Sequence, residues 1–309
     1  MKLDGIHHIT AITGDAQSNV DFYVGVMGLR LVKKSVNQDD PTVYHLFYAD
    51  ENGSPGADLT FFEYPNARQG RAGAGMVNRI AHRVASPDTL DFWADRLGSE
   101  GVDSTRDGET LRFADPEGLE HELAVVDVPD APLWARSTEV PEEHALLGFH
   151  AVDAAVADPR RTEALLRDTL GFVERAPHQF EARGESRGGF IRFESGAGRG
   201  FGGAGTIHHI AWATTLDEHA AWRERVAAAG YQITEVIDRF YFRSVYFREP
   251  GGILFELASI GPGFTVDEPL ESLGERLTLP PDYEKLRGQV EPLLTPLPDV
   301  RQWRPAPVG

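Results

Sequence analysis

Cysteine is absent from this chain of 309 residues, and lysine is scarce. Without cysteine the protein has no disulfides, thiolate metal sites, iron–sulfur clusters or cysteine nucleophiles. Any metal must therefore be bound by His, Asp or Glu, the ligands that suit iron(II), manganese(II), nickel or zinc. No apolar run approaches the roughly 18 residues of a membrane span, and the N-terminus lacks a signal-peptide pattern. We therefore expect a cytoplasmic protein without a membrane partner.

Basic residues are also fewer than acidic ones. The chain has 30 Lys and Arg against 48 Asp and Glu, which gives a net charge of −18. Nucleic acids and anionic membranes are bound by neutralising phosphates, which an acidic surface opposes, so the sequence argues against both as partners. Only four of the basic residues are lysine. That balance fits either a protein that works at high salt or a genome that favours arginine codons.

A weak internal repeat organises the rest of the sequence. Each copy reads as a strand, a helix that ends at a glycine, and further strands that close in a hairpin. The copies cover about residues 3–66, 76–128, 145–196 and 204–261. We call them modules 1 to 4.

Composition divides the modules into two halves. Three prolines and little periodicity mark residues 129–144 as a linker. We therefore predict an N-terminal domain over residues 1–128 (modules 1 and 2), a C-terminal domain over residues 145–261 (modules 3 and 4), and a tail over residues 262–309 that wraps over them. The glycine-rich residues 195–205 lack the Gly-Lys-Ser/Thr ending of a phosphate-binding loop, so we interpret them as a connector.

Two histidine pairs begin apolar, strand-like runs about 200 residues apart: His7–His8 and His208–His209. A single histidine in a strand is more often a hydrogen-bonded core residue than a ligand, but paired histidines in two equivalent strands favour a metal site. Glu256 stands alone in an apolar run, where a carboxylate is costly to bury unless it is paired or bound to metal. We predict that His8, His209 and Glu256 bind one metal ion.

Strand geometry adds a neighbour to Glu256. Counting back from the Pro-Gly-Gly turn puts Tyr246 roughly opposite Glu256 in the closing hairpin. A phenol there suits an acid/base role, or one that orients a metal-bound carboxylate. The alternative to metal binding for this carboxylate is an ion pair with Arg239 or Arg243.

The same closing hairpin recurs in other modules. Residues 115–122 of module 2 align without gaps with residues 249–256 of module 4, and in both the final Glu lies six residues after a Pro. The same count from Pro55 in module 1 ends at Phe61, which cannot bind metal. A site of three protein ligands leaves one face of the ion open.

Other histidines give weaker signals. Two further pairs are spaced like parts of a second site: His82 with Glu122, and His150 with Glu194. Aligning the helices of modules 2 and 4 puts Ile80, and not His82, at the position of His209, so we interpret the second site as a degenerate remnant. We interpret the remaining histidines outside module 1 as surface or loop residues: His121, His144, His178 and His219.

With these residues in place, the chain resembles the vicinal oxygen chelate superfamily, which includes glyoxalases, bleomycin-resistance proteins and extradiol dioxygenases. Over nearly its full length it is most similar to the ring-cleaving dioxygenases that act on hydroquinones. The matching segments are residues 6–10, 13–17, 44–48, 53–56, 148–150, 207–210, 239–246, 250–256 and 263–268.

The resemblance implies an α+β fold, in which four βαβββ modules form two domains of curved mixed sheets with flanking helices. It also implies iron(II), with manganese(II) as the alternative, bound by His8, His209 and Glu256. Catalytic roles around the metal would belong to His7, Thr10, His208, Arg239 and Tyr246. An ideal strand would turn His7 and His208 away from their neighbours, so their participation requires a twist or bulge.

The implied function is ring cleavage of a hydroquinone- or catechol-type diol by O2, with the small aromatic diol and O2 as partners. A homo-oligomer is compatible with the sequence. Two alternatives stay open: a glyoxalase-like metal-dependent lyase or isomerase, and a non-catalytic protein that binds aromatic ligands. Glyoxalases of this fold use four protein ligands, so the phenylalanine at position 61 favours the dioxygenase.

Overall fold

The computed structural model describes residues 1–195 and 198–305. Part of the predicted connector and the last four residues of the tail thus lie outside the described residues. The described chain folds as predicted into four modules of one strand, one helix and three strands. None of its helices has the length and apolar character that crossing a bilayer requires.

The modules have the following elements. Module 1 contains β1 (Ile6–Thr13), α1 (Ala16–Val20, continued as a π-helix over Asp21–Val26), β2 (Arg30–Val36), β3 (Tyr44–Ala49) and β4 (Asp58–Glu63). Module 2 contains β5 (Met76–Val84), α2 (Pro87–Ser99), β6 (Ser104–Asp107), β7 (Thr110–Ala114) and β8 (Glu120–Val125). Module 3 contains β9 (Phe149–Val156), α3 (Arg160–Ala164, continued as a π-helix over Leu165–Thr169), β10 (Val173–Ala176), β11 (Gln179–Arg183) and β12 (Gly188–Ser195). Module 4 contains β13 (Thr206–Thr214), α4 (His219–Ala228), β14 (Ile237–Asp238), β15 (Arg243–Arg248) and β16 (Leu254–Ser259).

Short helical turns form the linker and the tail. The linker contains a 3-10 turn over Glu142–His144. The tail contains α5 (Pro281–Glu284), α6 (Arg287–Val290) and 3-10 turns over Phe264–Val266, Leu270–Ser272, Glu291–Leu293 and Val300–Trp303.

Local sequence explains where the helices begin and end. The carboxylate of Asp15 caps α1 by accepting from the backbone N–H groups of Gln17 and Ser18. Ser86 caps α2 in the same way, and a proline occupies the first helical turn, as the sequence predicted. Gly28 follows the first helix with a φ of +69°, a conformation that glycine adopts without strain.

The strands form two eight-stranded sheets, each built by two modules. One sheet has the order β14-β15-β16-β13-β1-β4-β3-β2, and the other has the order β10-β11-β12-β9-β5-β8-β7-β6. Modules 1 and 4 therefore share one sheet, and modules 2 and 3 share the other. Each sheet draws one module from residues 1–128 and one from residues 145–261. The linker divides the modules along the chain but does not divide the sheets.

The joining strands β1 and β13 are antiparallel and lie at the centre of the first sheet. They carry completely buried apolar side chains, among them Ile9 and Trp212. Burial on this scale contributes about 25 cal/mol for each Å² of apolar surface removed from water. The core thus fixes the first and fourth modules against each other, and it is this pairing that builds the site described below.

The tail is attached to the first sheet through a buried lysine. Lys33 on β2 has no exposed side-chain surface, and its Nζ donates to Asp267 at 2.7 Å and to Glu268. The hydroxyl of Tyr241 donates to Asp267 at 3.0 Å. One ammonium group thus pairs with two tail carboxylates, one of which is fully buried.

Replacing Lys33 with methionine is expected to lower the free energy of unfolding by about 3 kcal/mol, since it leaves the buried carboxylate of Glu268 without its close cation. The free energy is measured by urea unfolding. Lys34→Met is the matched control, because among the described residues the ammonium group of Lys34 donates to the carbonyl of Glu275 and forms no ion pair. Equal losses in the two variants would contradict the role assigned to the buried lysine.

Candidate metal centre and its pocket

The first sheet brings His8, His209 and Glu256 together, as the sequence predicted. Nε2 of His8 and Nε2 of His209 lie 3.3 Å apart. The same two nitrogens lie 3.2 Å and 3.0 Å from Oε2 of Glu256. Ligands at about 2.1 Å from one ion are themselves separated by about 3.0–3.4 Å, so the spacing of these atoms fits one transition-metal ion.

Strand register produces this meeting point. Thr10 on β1 lies opposite His209 on β13, and the parallel pairing of β13 with β16 puts Ala211 beside Glu256. On β15, Tyr246 lies opposite Glu256, where counting back from the turn predicted it. Side chains two residues apart share a face of the sheet, so His8, His209 and Glu256 project to the same side.

The two neighbouring histidines lie in β-bulges. Pairing between β1 and β13 shifts register between Ile6 and His8 and again between Thr10 and Ala11, so that His7 and His208 are left out of the ladder. Bulges re-aim side chains and are common beside active sites. The bulge that participation of these histidines required is therefore present.

A hydrogen-bond chain sets the ring of His8. Nε2 of His7 donates to the carbonyl of Ser259 at 3.3 Å, which leaves Nδ1 of a neutral His7 as an acceptor. Nδ1 of His8 lies 2.9 Å from that nitrogen and donates to it. Burial lowers the pKa of His7 to about 3, and this holds the ring neutral. The chain leaves the Nε2 lone pair of His8 free for a metal.

His208 contacts His209 in the same way, with 2.8 Å between their Nδ1 atoms. It does not line the pocket that His209 shares with His8. It lines a second cavity, which His209 also lines, together with Arg71, Arg199 and Arg248. From this position His208 can orient the ring of His209, but it does not face a substrate in the pocket.

Glu256 is fully buried beside the ring nitrogens of His8 and His209. Burial opposes its ionisation, but His8 and His209 hold its pKa well below the usual range. Oε1 accepts from the hydroxyl of Ser244, whereas Oε2 has no conventional hydrogen-bond partner among the described residues. No Lys or Arg of the described chain pairs with it, and Arg239 is bound instead by Asp39 at 3.0 Å. A buried carboxylate oxygen facing two imidazole nitrogens is the environment that a divalent cation completes.

A pocket opens over this group of atoms. Its lining includes two of the three candidate ligands, His8 and His209. Aromatic and polar side chains complete the wall, and Val36 adds an aliphatic one: Ser35, Val36, Asn37, Gln38, Asp39, His45, Phe47, Phe62, Arg239, Tyr241, Phe242 and Tyr246. Burial raises the pKa of Tyr246, and the charge of Glu256 raises it further. The phenol therefore keeps its proton at neutral pH. Thr10 is fully buried, and its hydroxyl lies 2.8 Å from that of Thr60.

Comparison with known proteins identifies the family. Residues 5–123 and 144–257 match the family model of the Glyoxalase/Bleomycin resistance protein/Dioxygenase superfamily. The chain belongs to this superfamily.

Full-length relatives of this superfamily member are known. It is 42% identical to a Bacillus subtilis (strain 168) protein provisionally named ring-cleaving dioxygenase MhqO, over 97% of this chain and 98% of that protein. It is 32% identical to the chlorohydroquinone/hydroquinone 1,2-dioxygenase of Sphingobium indicum, over 94% of this chain and 95% of that enzyme. The crystal structure of a provisionally named dioxygenase from Bacillus subtilis superposes with a TM-score of 0.87 at 40% identity, covering 96% of this chain and 98% of that one.

Because the modules repeat, each position of the metal site in the first sheet has an equivalent position in the second sheet. Ala81 on β5 lies beside Glu122 as Ala211 lies beside Glu256. The residue two before Ala81 is Arg79, so Arg79 occupies the position of His209, and the predicted Ile80 was wrong by one residue.

In the second sheet, guanidinium groups pair with Glu122, the counterpart of Glu256. Glu122 is paired with Arg112 at 2.8 Å and with Arg192 at 2.9 Å. Arg79 donates to Asp153 at 2.7 Å. These ion pairs account for the degenerate second site that the sequence predicted.

The predicted fourth ligand position needs a similar correction. On β4, Thr60 lies beside Thr10 as Glu256 lies beside Ala211 on β13. Thr60, and not Phe61, therefore occupies the fourth position. Phe61 points into the core, with its ring 4.7 Å from that of Tyr23. A threonine hydroxyl is a poor ligand beside histidine and carboxylate, so the prediction of three protein ligands is unchanged.

Three histidines have surroundings that the sequence did not predict. His121, expected at the surface, is fully buried, and its Nε2 lies 3.0 Å from the hydroxyl of Tyr23. His219 is also buried and donates to the carbonyl of Leu257 at 2.9 Å. His45 lines the pocket, a role that the sequence analysis did not predict for it. Its segment, residues 44–48, is one of those that carry the family resemblance. The alternation of β3 was the available signal, because His45 and Phe47 share one face.

Proposed function

We propose that the chain is a ring-cleaving dioxygenase in which His8, His209 and Glu256 bind iron(II), with manganese(II) as the alternative. The observation that carries the proposal is the buried Oε2 of Glu256, which faces two imidazole nitrogens and pairs with no Lys or Arg of the described residues. Three protein ligands leave open positions for both a substrate oxygen and O2, the arrangement that oxygenases with two histidines and one carboxylate require.

The pocket supports an aromatic diol as the substrate. Aromatic rings line it beside the candidate ligands: Phe47, Phe62 and Phe242. Flat aromatic ligands pack well against such rings. The relatives named as ring-cleaving dioxygenases, one of them for chlorohydroquinone and hydroquinone, point to the same class. When bound, the metal would hold the diol and O2 together and draw charge from the ring to O2.

The protein residues around the diol have separate tasks. Tyr246 donates a hydrogen bond to the substrate oxygen nearest Glu256 and stabilises charge there. Arg239, with its guanidinium carbon 5.6 Å from the Tyr246 ring centre, keeps that phenol in place and adds positive charge to the pocket wall. His7 and His208 hold the rings of His8 and His209 in place. Thr10 lies opposite His209 and helps to position β13 against β1.

The test combines metal analysis with oxygen uptake. Protein purified without oxygen is loaded with iron(II) or manganese(II), its metal content is measured, and hydroquinone or catechol is then added in an oxygen electrode. We expect about one metal ion per chain and one O2 consumed per diol cleaved. A glyoxalase-like lyase or isomerase would bind metal but consume no O2 with either diol. A binding protein would take up the diol without needing metal.

A further inference from the structure

We propose that His45 recognises the distal hydroxyl of a para-diol, and that it thereby selects hydroquinone-type substrates over catechols. The inference rests on the proposed function and adds to it a specificity-determining residue on the pocket wall away from the metal ligands.

The ring of His45 is held firmly and has one free nitrogen. It lies between two aromatic rings, with centroid distances of 3.9 Å to Phe47 and 4.4 Å to Phe62. Nε2 is hydrogen-bonded to the hydroxyl of Thr60 at 3.0 Å. Nδ1 has no hydrogen-bond partner in residues 1–195 and 198–305. A fixed ring that lines a pocket with an unused nitrogen is well suited to bind a ligand hydroxyl.

Sheet geometry places His45 on the wall of the pocket away from His8. In the first sheet β4 lies between β1 and β3. Neighbouring strands are about 4.8 Å apart, so His45 on β3 projects from a strand about 10 Å away from the strand of His8. A catechol has its two hydroxyls on adjacent carbons, and both lie near the metal. A hydroquinone bound through one oxygen directs the other across the ring, toward β3.

The chemistry of a neutral imidazole fits this task. Burial lowers the pKa of His45 well below its ordinary value. A neutral ring has one donor and one acceptor nitrogen, so the tautomer adjusts to a hydroxyl that either donates or accepts. The hydroxyl of Thr60 also contacts that of Thr10, which ties the position of His45 to the strand that carries His8.

The test compares two diols in His45→Phe. Metal-loaded protein is titrated without oxygen with hydroquinone and with catechol in a calorimeter, and oxygen uptake is then measured with both. Loss of one hydrogen bond is expected to weaken hydroquinone binding, and to lower its kcat/KM, by about tenfold. Catechol binding is expected to change less than about twofold. His45→Gln, which keeps a polar group on the wall, is expected to recover part of the hydroquinone affinity.

A matched histidine substitution guards against general damage. His150 on β9 also packs against a phenylalanine ring, at 5.1 Å from Phe190, but lies in the other sheet. His150→Phe is expected to leave the ratio of the two affinities unchanged. Equal losses for both diols in His45→Phe, or no loss for hydroquinone, would overturn the proposal. Wild-type protein that binds the diols in this pattern without consuming O2 would contradict the proposed function and leave the role of His45 standing.

Discussion

Replacing Glu256 with glutamine is expected to weaken metal binding by more than about 100-fold and to reduce oxygen uptake with any diol to the level of metal-free protein. Oε2 of Glu256 is the atom that both ligand nitrogens face, at 3.2 Å from His8 and 3.0 Å from His209. Glutamine preserves the shape of the side chain and its contact with Ser244. It removes the negative charge that offsets a divalent cation in a buried site.

The measurement is metal content per chain after anaerobic loading with iron(II), followed by oxygen uptake. His8→Ala and His209→Ala are expected to behave in the same way, because each removes one of three ligands. Full metal stoichiometry in any of the three variants would show that the assigned ligand set is wrong.

Glu122→Gln is the matched control for the carboxylate. Glu122 occupies the position in the second sheet that Glu256 occupies in the first, and guanidinium groups of Arg112 and Arg192 pair with it. The variant is expected to lower thermal stability, because it removes the negative charge that pairs with both arginines. Its metal content is expected to be unchanged. A loss of metal in this variant would mean that damage to the fold, and not removal of a ligand, explains the result for Glu256.

The three candidate ligands, His8, His209 and Glu256, were predictable from sequence because short-range patterns mark each of them. A carboxylate isolated in an apolar strand has few stable environments, and the Pro-Gly-Gly turn fixes the register that puts Tyr246 opposite it. The four modules were predictable for the same reason, since each is a local strand–helix–hairpin pattern. Local patterns thus determined the composition of the site.

One-residue errors mark the limit of such counting. Phe61 was predicted at the position that Thr60 occupies, and Ile80 at the position of Arg79. Side chains alternate across a strand, so an offset of one residue moves a side chain from one face to the other. The loops of the modules differ in length. Counting residues across them to align one module with another can therefore miss the equivalent position by one residue.

Long-range packing set the remaining features. Module 1 joins module 4, and not its neighbour in sequence, because β1 pairs with β13. The attachment of the tail to Lys33 and the position of His45 on the pocket wall also depend on strands far apart in sequence. Composition and periodicity carry no information about such contacts.

Removing the hydroxyl of Tyr246 is expected to lower kcat by about 10²–10³-fold while metal binding is retained. The Tyr246 ring lies 5.8 Å from the ring of His209 and opposite Glu256, so its hydroxyl reaches the pocket beside the metal ligands. Burial raises the pKa of this phenol, and it therefore acts as a proton donor near neutral pH. A donor aimed at a substrate oxygen that gains charge during reaction stabilises the transition state more than the bound substrate.

The Tyr246→Phe variant is measured by metal content, by anaerobic diol binding and by single-turnover oxygen uptake. The expected pattern is a large fall in kcat with metal stoichiometry unchanged, which separates Tyr246 from the three ligands. Tyr48→Phe is the control, because the hydroxyl of Tyr48 is remote from the pocket and donates to Asn19 at 2.8 Å in the core. It is expected to cost about 1 kcal/mol of stability without changing kcat. If Tyr246→Phe keeps full activity, or loses metal together with activity, the phenol does not act on the substrate as assigned here.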